Sequence, residues 1–306
     1  MAQGTLQQMA RQLQAYCPSV PYSLAQRWII DRYRSITEDT LWSFKIGEGV
    51  FYTPASYTTG TVTTTNDSTT VTGSGTTWTS AMSNRQMQVG GLTYNFTYVS
   101  TTSGTLDRKW YGATTADQTY SILQAWITPA DTDFHTWISV IDPVAGWRIR
   151  TGYSSFELDT IDPGRDSGGS PSILAARSYS TTSGTFGTPR FELWPYSSTL
   201  TQFTYMYERR VADLSANTDA PPGIIRSDIL VKGALADLSR WPGSKADPNP
   251  MYDPYFNQFK SRDAEFREEM GNIHVADQNI YMTDLNYYTA MPYAPMSSSY
   301  MQNHAF

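Results

Sequence analysis

Residues 58–125 constrain the fold more than any other part of the chain. The text from Gly60 runs GTVTTTNDSTTVTGSGTTW and continues in the same style. Apolar residues (Val62, Val71, Trp78, Met87, Val89, Tyr94, Phe96, Leu106, Tyr120, Ile122) stand in short runs among Thr and Ser. NDS, GSG, GG and SG separate the runs. A helix has no continuous apolar stripe to bury in such text. Short strands joined by tight turns do, so the segment predicts a small antiparallel barrel or sandwich. The hexamer STTSGT occurs at 100–105 and again at 180–185, and both copies read as hairpin turns. Strand-like text on either side (WSFKIG, VFYTPASY, GWRIRTGY, FELWPY, QFTYMYERR) makes 58–125 read as an inserted module.

Both ends of the chain carry helical periodicity. Leu6, Met9, Ala10, Leu13 and Cys17 repeat at helical spacing. Pro18 and Pro21 interrupt them, and Ser23 with Gln26 offers a capping box for a second helix reaching Ile36. SSFELDTIDPG predicts one short helix capped by Ser155 and ended by Pro163, and PADTDF a helical turn with Asp131 as its cap. Ile225, Ile229, Leu230, Ala234 and Leu238 mark another helix. Tyr252, Phe256, Phe259, Phe266, Met270 and Ile273 mark a long amphipathic one, with Glu265, Glu268 and Glu269 on its other face. The expected class is therefore α+β: a helical bundle with β-strands and an inserted small antiparallel β-barrel or sandwich module. Residues 1–57 and 126–285 form its core, 58–125 the module, and 286–306 an extended arm.

Composition narrows the function. A net charge of −6 over 306 residues argues against phosphate binding as the main task, because that affinity comes from clustered Lys and Arg. The single cysteine, Cys17, excludes an internal disulfide and a cysteine metal site, and reads as a small core residue. Neither a membrane-length apolar run nor a signal-peptide pattern is present, so the expectation is a protein made in a reducing cytoplasm, with no membrane partner.

RDSGGSP, residues 165–171, resembles the G-D-S-G-G-P signature around the nucleophile of chymotrypsin-like serine proteases. Ser167 would need a histidine base and a carboxylate to orient it. That family carries its histidine upstream in an A-A-H-C setting, whereas the upstream histidine here is His135 in DFHTW, and Arg165 replaces a glycine. His274 and His304 lie downstream. The segment reads as a turn that closes the short helix and launches a strand near Ile173. Asp131, Asp133 and His135 spell D-x-D-x-H, which would face one way on a strand and hold a metal only with further ligands. Glu157 with Asp159, or Glu268 with Glu269, are carboxylate pairs that any glycosidase search would nominate. Phosphate-cradling and dinucleotide motifs are absent from the sequence. The expectation is no enzyme, no cofactor and no metal.

Two features together resemble tailed-bacteriophage proteins. GTVTTTNDSTTVTGSGTTWTSAMSNRQMQVGG (60–91) is similar to a short β element of phage structural proteins: G-T-V, a V-T-G-x-G-T-x-W turn, M-x-x-R and V-G-G. The helical pair, the β region, LDTIDPGRDSGGSPSILAA, FELWPYSS with its Y-x-Y-x-R strand, and PPGIIRSDILVKGALADL follow the order of the head-to-tail connector, or adaptor, proteins. This resemblance covers most of residues 5–285. It implies a non-enzymatic virion protein made in the host cytoplasm and placed at the neck. Such a protein forms a homo-oligomeric ring, typically a dodecamer, between the portal protein and the tail or nozzle protein, around passing double-stranded DNA. The stretch from Leu285 contains no Asp, Glu, Lys or Arg. Its Tyr287, Tyr288, Met291, Tyr293, Met296, Tyr300, Met301 and Phe306 are the expected contacts to the portal or a neighbouring subunit. Glu265, Glu268 and Glu269 are the expected lining of the DNA channel. The alternative is a tail, fibre or baseplate protein whose β module binds a glycan or receptor.

Overall fold

The computed structural model describes residues 3–39, 41–165, 167–179 and 188–281. In chain order the elements are α1 (Leu6–Tyr16), α2 (Tyr22–Asp39), β1 (Ile46–Thr53), β2 (Thr61–Thr64), β3 (Ser68–Ser74), β4 (Arg85–Val89), β5 (Leu92–Ser100), β6 (Ser103–Trp110), β7 (Thr115–Gln118), β8 (Tyr120–Leu123), β9 (Trp126–Ile127), β10 (Phe134–Asp142), β11 (Trp147–Ser154), α3 (Ser155–Ile161), β12 (Ile173–Tyr179), β13 (Pro189–Trp194), β14 (Thr201–Arg209), α4 (Ser227–Arg240) and α5 (Asn257–Tyr281). The protein is mostly β, with 36% of residues in strands and 29% in helices. This corrects the α+β expectation of a helical bundle with an inserted β module. The strands on either side of that module are not accessories to the helices. They pair with one another into a second seven-stranded sheet.

Contacts divide the chain into two compact units, Met1–Ile46 with Arg209–Phe306, and Gly47–Glu208. The first unit is built from the two ends of the chain. Its helix α1 starts at a capping box, where Thr5 Oγ1 accepts from Gln8 N and Gln8 Oε1 accepts from Thr5 N. Leu6, Met9, Leu13, Ile29, Ile229, Leu230, Leu238, Phe266 and Met270 form the core. The apolar stripes read for the other helices are buried or half-buried here. Tyr252 and Phe256, expected on the stripe of the long helix, are instead exposed ahead of it, because Asp253 holds the backbone N–H groups of Tyr255 and Gln258 in a turn and α5 starts only at Asn257. α2 begins at Tyr22, directly after Pro21, so Ser23 lies inside the helix rather than at its cap. Arg32 ties α2 to α4 and α5: its Nε and Nη2 donate to Asp237 (2.7 and 3.0 Å) and its Nη1 to Asp263. Gly233 brings α4 close to Phe266, whose ring lies 2.9 Å from where a Cβ would stand.

The second unit holds both sheets. One has the order β7-β2-β3-β6-β5-β4-β8, with antiparallel neighbours throughout. Its outermost strands, β7 and β8, are separated only by Thr119. Since consecutive Cα atoms stand about 3.8 Å apart, the sheet must curl until its edges meet, giving a nearly closed barrel. Val62, Val71, Trp78, Met87, Val89, Tyr94, Phe96, Leu106, Trp110, Tyr120 and Ile122 fill it. Trp78 Nε1 donates to Tyr120 Oη (2.8 Å), which donates to the Thr59 carbonyl. The first STTSGT is the β5–β6 turn, with Ser100 opposite Ser103. Its Gly104 is required, because a Cβ there would stand 2.1 Å from the Phe96 ring. The second copy lies outside the described residues.

The other sheet has the order β1-β14-β10-β11-β12-β13-β9. β11 and β12 run parallel, with α3 as the crossover, while β10–β11, β12–β13 and β13–β9 are antiparallel. Phe134, Trp137, Val140, Ile149, Leu174, Leu193, Phe203, Tyr205 and Tyr207 make one core of this sheet. A smaller one forms where Leu158 of α3 covers Ile173 and Ala175. The cap of α3 is Ser154 rather than Ser155: its hydroxyl accepts from Glu157 N, and Glu157 Oε2 accepts from Ser154 N at 2.6 Å. No helix covers 129–133; strand pairing and aromatic burial of Phe134 and Trp137 prevail over the helix-start signal at Pro129. Among the described residues, no helix is long and apolar enough to cross a membrane.

Candidate functional site

RDSGGSP follows α3 and leads into β12, as its turn residues require. Arg165 adopts φ 56° and turns its guanidinium inward. It reaches Glu192 on β13 (Nε–Oε1, 2.8 Å), Asp159 on α3 (2.6 Å) and the Asp162 carbonyl. Glu192 is only 1% exposed. It also accepts from Arg177 Nη1 (2.7 Å) and Tyr196 Oη (3.0 Å). A carboxylate buried this deeply is tolerated because cations and a hydroxyl saturate it. Burial and the Glu192 charge push the Tyr196 phenol far above its usual range. The barrel joins this node through Gln88 Nε2, which donates to the Arg165 carbonyl at 3.0 Å. Next to it, Gln86 Oε1 accepts from Ala125 N (2.8 Å) and Trp126 N (3.0 Å).

Ser167 engages the structure through its backbone. Its N–H donates to Asp162 Oδ2 (3.1 Å) and its carbonyl accepts from Tyr196 N (3.4 Å). Its hydroxyl makes no hydrogen bond among the described residues. His135 is exposed on β10, and His274 lies on α5 in the other unit with its ring against Trp42 (4.8 Å between centroids). His304 is outside the described residues. The described histidines therefore give Ser167 no hydrogen-bonded base. Asp131 does not cap a helix: it accepts from Tyr205 Oη, and Asp133 accepts from Tyr207 Oη at 2.9 Å. Among the described residues, no cluster of His, Cys, Asp and Glu has the arrangement to hold a metal. Glu157 is occupied by the cap of α3 and Asp159 by Arg165.

The residues expected to meet other molecules fall in two classes. Tyr287, Tyr288, Met291, Tyr293, Met296, Tyr300, Met301 and Phe306 lie outside the described residues. Glu265 and Glu268 are exposed on α5, whereas Glu269 accepts from Lys232 of α4. Among the exposed apolar groups, two sets stand at turns fixed by an aspartate. In the helical unit, Tyr252, Tyr255 (79% exposed) and Phe256 precede α5. There Asp253 accepts from Gln258 N (2.8 Å) and Tyr255 N (2.9 Å) and fixes the turn. In the β unit, Val144 (87% exposed) stands in the β10–β11 hairpin turn, with Ile141 and Trp147 on opposite faces of the hairpin beside it. Asp142 accepts from Val144 N and Ala145 N and holds that turn rigid. The sequence periodicity counts Tyr252 and Phe256 as helix; the signal against that is Pro254 with Asp253, a turn pair inside YDPYF.

No known family model matches this chain. No curated protein matches it either. The arrangement of its surfaces and the resemblance of its motifs are what bear on its role.

Proposed function

We propose that the chain is a structural subunit of the neck of a tailed bacteriophage. In this reading it forms a homo-oligomeric ring, twelvefold in the resembling family, between the portal of the filled head and the tail or nozzle protein. It extends the DNA channel and performs no chemistry of its own. The observation that carries this is the exposed apolar side chains held at hydrogen-bonded turns on each unit: Tyr252, Tyr255 and Phe256 before α5, and Val144 in the β10–β11 turn. A closed ring needs two dissimilar adhesive faces on each copy. Exposed apolar groups held by capped, rigid turns are suited to that use, because little ordering entropy is lost on contact. The ordered sequence motifs point to the same class of protein. In this proposal Glu265 and Glu268 present negative charge to passing DNA, which then slides rather than sticks. The uncharged stretch after Leu285 docks on the portal or a neighbouring copy.

The test is assembly. Purified chain, alone and mixed with a portal ring, is examined by native mass spectrometry. Closed rings that Tyr255→Ser or Val144→Asp breaks down to folded monomers support the proposal. Monomers at all concentrations, with and without portal, overturn it. Truncation after Asp284 is expected to abolish portal attachment.

A further inference from the structure

The face of β9, β12 and β13 that carries Trp126 opens into a cleft of about 430 Å³. Its walls are α3 (Ser155, Asp159) and the β5–β6 hairpin of the barrel (Asn95, Asp107, Arg108). A second hollow of about 210 Å³ adjoins it and reaches the Arg165–Glu192 node. We propose that this cleft is a binding site for a small oxyanion, the carboxylate or phosphate of a low-molecular-weight ligand, with Arg108 and Arg190 as its recognition groups and Trp126 as its floor.

The argument is one of charge and unmet donors. Arg177 and Arg190 both lie against the Trp126 ring, their Cζ atoms 4.2 and 5.2 Å from its centroid. Two guanidinium groups sharing one indole repel each other unless anions offset them. Arg177 has Glu192. Arg190 has only the Ser178 hydroxyl (3.0 Å), and its Nε is shielded from water with no acceptor. Arg190 lines the cleft with no carboxylate beside it among the described residues, the setting in which a guanidinium takes up an anion. Across the cleft, Arg108 donates to the Thr93 carbonyl (2.6 Å) and lies over the Tyr94 ring. Among the described residues, neither Arg108 nor Arg190 has a carboxylate within ion-pair distance. The acids present are already engaged. Asp159 and Glu192 hold Arg165, and Asp107 accepts from Asn95 N (2.9 Å). What remains is two guanidinium groups without carboxylate partners among the described residues, each with donors left for a carboxylate or phosphate. The indole below accepts the face of an attached ring.

Titration calorimetry at constant ionic strength tests this with three probes: inorganic phosphate, glucuronate, and glucose as the neutral counterpart. Phosphate alone binding would identify phosphate as the preferred anion, and glucuronate alone a carboxylate-bearing ring; both support the site. Arg108→Gln, on an exposed barrel strand, and Arg190→Gln are each expected to weaken binding about tenfold or more, the scale of a lost charge-assisted contact. Arg108→Lys should restore part of it. Because Arg190 also packs on Trp126, its near-ultraviolet circular dichroism is compared with the parent. Binding of neither anion, affinity for glucose equal to that for glucuronate, or an unchanged affinity in Arg108→Gln overturns the proposal.

Discussion

Replacing Glu192 tests whether the RDSGGSP segment is held by a buried ion cluster. Glu192→Ala removes an acceptor from Arg165, Arg177 and Tyr196 at once. The three losses are unequal. The Arg177 side chain is 33% exposed and regains water. Arg165 is 8% exposed and retains Asp159, but that carboxylate is 60% exposed and its attraction is screened. Removing one partner of a buried pair costs about 3–5 kcal/mol, and a buried hydroxyl left without an acceptor about 1–3 kcal/mol. With Asp159 and two carbonyls still on Arg165, the low end of that sum applies, about 4 kcal/mol. Glu192→Gln keeps a neutral acceptor and should cost about 2 kcal/mol. Both are large against the roughly 5–15 kcal/mol of a typical domain. The assay is urea unfolding followed by tryptophan fluorescence, because Trp126 and Trp194 adjoin the cluster. The double variant Glu192→Met/Arg165→Met removes both buried charges and should be more stable than Glu192→Ala alone. A loss below about 0.5 kcal/mol for Glu192→Ala, the range of ordinary surface changes, would refute the reasoning, as would a double variant whose loss equals the sum of the singles.

Acid should weaken the helical unit. Hydrogen bonds from Arg34 hold Asp213 below its usual value, and backbone N–H groups do the same for Asp219 and Asp253. For Asp263, burial pushes upward but is outweighed by Arg267 and Arg32. Depressed carboxylates stabilise the folded state above their unfolded pKa, so circular dichroism at 222 nm should fall as pH drops below about 4. Alkali acts with the opposite sign on Tyr33, pushed up to about 12 by burial and by Asp213. Its stabilisation is complete below the usual 10.0 and declines as pH rises toward its folded value, which a helical signal that weakens above pH 10 would register. Gly104→Ala should destabilise the barrel by about 1–3 kcal/mol, as overpacking against Phe96. Gly91→Ala, with φ 75° and open space around it, should cost only the backbone strain of about 1–2 kcal/mol. Ser167→Ala should leave the melting temperature unchanged, since the residue is exposed and bonded through its backbone.

Much of the local structure was legible because it rests on short-range physics. The stripe of Leu6, Met9 and Leu13, the short helix at FELD, and the Thr-rich strands with their GG and SG turns each follow from periodicity and turn chemistry. What was not legible is long-range. Nothing in WSFKIG or QFTYMYERR says that β1 and β14 lie side by side, nor that β11 and β12 run parallel across α3. Those pairings turn an expected helical core with a β insert into a protein dominated by two sheets. Arg165 drew notice only as a departure from a protease motif. The legible clue was its partner: Glu192, a lone carboxylate between Phe191 and Leu193, needs buried cations. The arginine cleft depends on strand register, which places Trp126 opposite Glu192 and cannot be read from spacing.

The central claim is that this chain builds a ring at a phage neck, and electron microscopy of the chain mixed with portal protein tests it most directly. The account predicts closed rings of this chain, twelve copies each, seated on one face of the portal and coaxial with its channel. Free monomers beside bare portals, or trimers with no affinity for the portal, would contradict it.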